Sequence, residues 1–93
     1  MNSAFDMVYD DPLLVKTWFS GEQARYIKER TWAPHQTISD EPDGAIILEM
    51  QTSGWWDVKK WVLSFGAEAS VLEPEELRCE IAEELGRARA RYQ

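Results

Sequence analysis

Three cations fall within six residues, at Arg25, Lys28 and Arg30, and His35, the chain's one histidine, follows shortly after. Guanidinium and ammonium groups at that density suit carboxylate or phosphate recognition, the first as a planar two-pronged donor and the second as a point charge. Lys59 and Lys60 form a second positive site. Solvation alone also accounts for both groups, because surface cations are ordinary. Neither group carries a reaction. Cys79 is the only cysteine, and the one histidine lies far away in sequence, so nothing marks a nucleophile with its base. The chain has no glycine-rich phosphate loop, no Ser-His-Asp set and no pair of histidines for zinc. Glu75-Glu76 and Glu83-Glu84 read as the solvated face of a helix. The expectation is a binding domain, not an enzyme, with no catalytic residue, metal or cofactor.

The totals narrow what can be bound. At 93 residues and 44% hydrophobic content, the chain supports one domain with a modest core, to which five tryptophans lend bulk. A net charge of −7 sets up a field that repels phosphate backbones, although a local basic site survives it. One cysteine excludes an internal disulfide and fits a reducing compartment. No apolar run approaches the roughly 18 residues that cross a bilayer, and the start lacks the grammar of a signal peptide. The chain therefore reads as soluble and cytoplasmic, with no membrane partner.

The stretch from Ser53 to Pro74 organises the elements that must position these groups. Ser53 is a suitable N-cap, Asp57 lies in the first turn, and Trp55, Val58, Trp61, Val62 and Phe65 share one helical stripe. Trp56 and Leu63, seven positions apart, share a second direction, either a wider buried face or an apolar contact patch. Gly66 ends the helix, Ala67 to Leu72 alternates as a strand, and Glu73-Pro74 opens a last helix to Tyr92. In that helix Leu77, Ile81, Leu85, Ala88 and Tyr92 keep one phase, which predicts a single buried face throughout.

Upstream, residues 1–12 mix apolar and acidic side chains without period and read as an N-terminal arm, either a flexible tail or a docking segment. Residues 13–93 read as a single domain. Leu13 to Phe19 alternates as a first strand, and a helix capped by the Ser20 hydroxyl runs from Gly21 to about Arg30. Pro34 breaks it. His35 to Ser39 and Ala45 to Thr52 form a hairpin around Asp43-Gly44, whose glycine supplies the positive φ of the turn. The order is strand, helix, strand, strand, helix, strand, helix. It predicts an α+β, ferredoxin-like βαββαβ sandwich with an additional C-terminal helix that covers either an end of the sheet or its other face.

Such a sheet admits RNA binding through stacked aromatics, but Ala45 to Thr52 contains none, so that reading is set aside. An autonomous small-ligand module of the ACT type shares the element order, and would need a pocket lined by Trp18, Trp32 or Trp56.

The runs YIKERTWAPHQ, DGAIILEM and SGWWDVKKWVLSFGAEASVLEPEELR resemble the C-terminal extension, WCX, of WYL-domain transcriptional regulators. The likeness extends from about Pro12 and is most specific in WVLSFG and VLEP. In that family a winged helix-turn-helix reads promoter DNA, a WYL domain senses a ligand, often a nucleotide or single-stranded nucleic acid, and the extension helps hold dimers. The resemblance implies WYL and DNA-binding domains as partners in a parent protein, a homodimer, and a supporting role in effector sensing. This sequence carries neither of the other two domains, so it is expected to be an excised C-terminal part. On this reading Arg25, Lys28, Arg30 and His35 line a positive edge facing an anionic effector. Trp56 and Leu63, flanked by Lys59 and Lys60, form the partner contact.

Overall fold

A computed structural model describes residues 13–52 and 54–93. The arm at 1–12 and the Ser53 cap lie outside the described residues. Four strands, β1 (Leu13–Phe19), β2 (Thr37–Asp40), β3 (Ile46–Thr52) and β4 (Ala69–Glu73), form one sheet in the order β2-β3-β1-β4, with every pairing antiparallel. Helices α1 (Gly21–Lys28), α2 (Trp55–Leu63) and α3 (Glu75–Ala90) complete the chain. The first six elements have the order and strand arrangement of the ferredoxin-like fold, and α3 is the addition.

Alternation decides which side of the sheet is covered. Val15, Thr17 and Phe19 of β1, Ile46, Leu48 and Met50 of β3 and Val71 of β4 are all buried. They share one core with Ala24 and Ile27 of α1, Val58 and Val62 of α2, and Leu77 and Ile81 of α3. The added helix therefore contributes to the same core as α1 and α2, and among the described residues no helix lies on the other sheet face. Register sets the rows on that open face: Trp18 stands between Ile47 and Ser70, and Lys16 opposite Glu49. Thr17 is a polar residue on the buried side. Its Oγ1 is buried without a hydrogen-bond partner among the described residues, opposite Leu48 and Val71.

One end of the core is aromatic. Phe19 meets Trp61 at 5.5 Å and Phe65 at 5.2 Å between ring centroids, and Trp32 meets Trp61 at 4.7 Å. Offset and edge contacts of this kind add to the area that each ring buries. The hairpin turn is built as expected, with Gly44 at φ 92° and the Asp43 carboxylate accepting from the Ala45 amide at 3.1 Å.

Several boundaries differ from the sequence reading, each for a local reason. The Ser20 hydroxyl does not cap α1; it donates to the Glu68 carboxylate, while the Ser20 amide donates to the Glu68 carbonyl at 2.9 Å. That tie holds Gly66–Glu68 as a 3-10 turn, with Gly66 at φ 59°, so β4 begins at Ala69 instead of Ala67. β2 begins at Thr37, not His35. Residues before it are held by Gln36, which accepts from the Trp32 and Ala33 amides and donates to the Arg30 carbonyl. Buried Trp32 donates Nε1–H to the Ile27 carbonyl at 3.1 Å, so side chains partner several backbone groups here where a strand neighbour would otherwise do so.

The largest correction concerns α3. Leu77 and Ile81 are buried, but Leu85 is 43% and Tyr92 92% exposed, and Ala88 is exposed too. The stripe keeps its phase, yet the core it faces ends at Ile81.

Candidate functional site

The cations of α1 and its following loop are largely engaged within the chain. Arg25 Nε lies 3.0 Å from Glu29 Oε2 one turn on, and Lys28 Nζ lies 2.6 Å from Asp40 Oδ1 at the end of β2. Arg30 donates to the Tyr26 carbonyl at 3.3 Å, and its guanidinium sits 4.0 Å over the Tyr26 ring. His35 is exposed in the loop. The four residues lie in neighbouring parts of the chain, but two of the three strong cations already face a carboxylate. Such exposed pairs are weak and exchange partners at little cost, so they lower the positive potential without locking it away.

The second predicted site divides. Trp56 is 59% exposed, and Lys60 is exposed with Nζ 5.8 Å from the Trp56 ring centroid. Leu63 is half-buried against the core. Lys59 does not belong on the surface at all: it is buried, with Nζ 2.9 Å from Glu80 Oε2 and 3.7 Å from Glu84 Oε1 on α3. Trp55 Nε1 donates to the other Glu80 oxygen at 3.3 Å. The ammonium of Lys59, donating to the Glu80 carboxylate, holds that carboxyl below its usual range against the opposing effect of burial, with the Lys59 charge and the Trp55 donor adding to the lowering. This latch joins α2 to α3. Sequence reasoning missed it because a lysine on a helix is read as solvated. The available signal was phase, since Lys59 falls between Trp55 and Leu63 at four-residue spacing.

Cys79 is exposed and donates to Glu75 at 3.4 Å. That hydrogen bond, then burial and the carboxylate's charge, push the thiol up, which keeps it protonated and a poor nucleophile.

Two surfaces remain, and neither was singled out from sequence. On the open sheet face, Leu14 is 51% and Leu72 38% exposed, and Trp18 and Ile47 are half-buried, interspersed with Lys16, Glu49 and Gln51. Beyond Ile81, the outer half of α3 presents Leu85, Ala88 and Tyr92. A groove of about 430 Å³ lies there, lined by Glu84, Arg87, Ala88, Arg91 and Tyr92. The three tryptophans offered as alternatives for a ligand pocket lie in different places. Trp18 is on the open face, Trp32 is buried in the core on the opposite side, and Trp56 projects from α2.

No helix among the described residues is long and apolar enough to cross a membrane. A search of curated proteins finds no match for the chain. The sequence model described as the WCX domain matches residues 11–89, a span that takes in all four strands, α1, α2 and all but the last residue of α3. This chain belongs to the WCX domain family.

Proposed function

We propose that this domain is the C-terminal regulatory and oligomerisation domain of a WYL-type bacterial transcriptional regulator, supporting effector sensing and dimer assembly by packing against other domains. The DNA-reading element lies elsewhere in that regulator. The observation that carries the reading is the open sheet face. An antiparallel sheet covered on one side ordinarily turns polar side chains to water on the other. Here Trp18, Ile47, Leu14 and Leu72 occupy that side instead, in a pattern suited to a moderately polar contact between domains of one chain. The effector, a nucleotide or single-stranded nucleic acid, is held by the WYL domain. Arg30 and His35, which have no carboxylate partner among the described residues, are the side chains of the positive edge left to meet it.

The test has two arms read by tryptophan fluorescence. In one, the domain is titrated with mononucleotides and short single-stranded oligonucleotides at low and moderate salt. In the other it is mixed with the WYL-containing remainder of the regulator. The expected result is no saturable change with nucleotide alone, and association with the remainder that is lost in Trp18→Glu or Leu14→Glu variants whose circular dichroism is unchanged. Saturable nucleotide binding by the isolated domain, abolished when Arg25, Lys28 and Arg30 become alanine, would instead make it an autonomous ligand module.

A further inference from the structure

We propose that the outer half of α3 is a self-complementary docking surface whose occupant is the same stretch of α3 from a second copy of this chain, packed antiparallel. The inference rests on the assembly role above and names its surface and partner.

Three observations converge on that occupant. First, the apolar stripe outlasts the core: Leu85 of α3, and Tyr92 in the turn just after its Arg91 C-cap, are exposed on the same phase as buried Leu77 and Ile81, so the stripe continues as a seam where the sheet supplies no further cover. Second, at about 100° per residue Glu84 and Arg91, seven positions apart, lie on one flank of that seam. In an antiparallel pair of identical helices the same flank faces itself, so each Glu84 meets the other copy's Arg91 when the twofold axis passes near Arg87 and Ala88. Third, the groove there is lined by Glu84, Arg87 and Arg91 together with Ala88 and Tyr92, so it carries charges of both signs beside apolar surface, and Arg87 is already paired with Glu84 within the chain. A purely anionic ligand would oppose Glu84, and a purely cationic one Arg87 and Arg91. A second copy offers a partner to Glu84 and Arg91 alike.

The internal contacts of these residues leave room for the pairing. Glu84 uses Oε1 for both Arg87, at 2.9 Å, and Lys59, at 3.7 Å, and Arg91 has no ion-pair partner among the described residues. Gly86 and Ala90 fall on the reverse of the helix and take no part. One helix pair is a small interface, well under the roughly 1,200 Å² of a standard stable complex, so the dimer is reversible and concentration-dependent.

The test is sedimentation equilibrium over a wide concentration range with wild type, Arg91→Glu, Glu84→Lys, and an equimolar mixture of the two variants. Each variant alone sets like charges opposite each other at both reciprocal positions, and about a tenfold weakening of self-association is expected for each. The mixture sets opposite charges at both positions, so hetero-association should return to near the wild-type strength. A merely structural effect of either substitution would not produce that recovery. Self-association that neither variant weakens, or that the mixture fails to restore, would overturn the α3 surface while leaving the assembly role standing. A strictly monomeric wild type would overturn it as well; if that chain still binds the remainder of the regulator through Trp18, the proposed interdomain role stands without this dimer.

Discussion

The two halves of α3 share one apolar phase and have opposite surroundings. From Glu75 to Ile81 the stripe is fixed by the core, with Leu77 fully buried and Ile81 nearly so; from Leu85 onward the same stripe faces outward. Lys59 sits at the junction, bonding Glu80 on one side and approaching Glu84 on the other. The difference teaches that helical periodicity fixes the direction of a face, while the extent of the neighbouring layer fixes how far along the helix that face is buried. A sequence states the first and is nearly silent on the second.

The sharpest way to break this comparison is to shorten one leucine in each half. Leu77→Ala should cost about 3 kcal/mol, because it removes buried methyl groups and leaves a cavity. Leu85→Ala should cost under about 0.5 kcal/mol when the chain is dilute, as surface substitutions generally do. Urea unfolding at low protein concentration checks both. Equal losses would mean that the outer half is packed within the monomer and that the contrast is wrong. At high concentration, a Leu85→Ala loss that grows with wild-type self-association would instead sharpen it.

The latch at the junction gives a smaller, pH-dependent effect. Glu80→Ala strands the buried Lys59 ammonium with only the more distant Glu84, whereas Lys59→Met removes the buried charge and keeps most of the volume. Lys59→Met should therefore lie within about 1 kcal/mol of wild type, and Glu80→Ala should lower the thermal midpoint more than Lys59→Met does. The order of the two midpoints is the readout. The sign of the pH effect follows from the lowered carboxyl of Glu80. A group depressed on folding adds stability that is complete above its ordinary, unfolded value and is lost as pH falls through the lower folded one. Acid unfolding of wild type should thus include a loss in that range that Glu80→Gln lacks. Parallel curves for the two proteins would sink the assignment.

Most of the fold was legible because alternation and turn chemistry are local. Val15, Thr17 and Phe19 inward against Leu14, Lys16 and Trp18 outward follow from a period of two, and Asp43-Gly44 from the positive φ that the hairpin takes. What failed was non-local. Ser20 is a sound cap by type, yet its hydroxyl is taken by Glu68, 48 residues on. His35 looked like the start of a strand, yet Gln36 holds the loop that contains it. The surroundings of the candidate residues were hidden for the same reason: Arg25 and Lys28 are cations by type, but only the packed chain puts Glu29 and Asp40 against them, and only α3 makes a buried residue of Lys59. The open sheet face is present in the alternation of β1 and β3, but its exposure depends on where α3 packs, which alternation within a strand does not state.

The finest probe of the comparison is Gly86, in the outer half. A Cβ there would meet nothing within 4 Å among the described residues, so no packing among them requires a glycine. Where packing does not decide, intrinsic propensity does, and Gly86→Ala should stabilise the domain by about 0.5 to 1 kcal/mol through lower backbone entropy in the unfolded chain. The gain should appear as a shift of the urea midpoint without a change in slope. Gly86 also lies opposite the Leu85, Ala88 and Tyr92 stripe, so the same substitution should leave self-association unaltered while helicity rises. Destabilisation by Gly86→Ala would mean that this turn of α3 is in contact with something in the monomer, and the outer half would no longer be the uncovered continuation of the inner one.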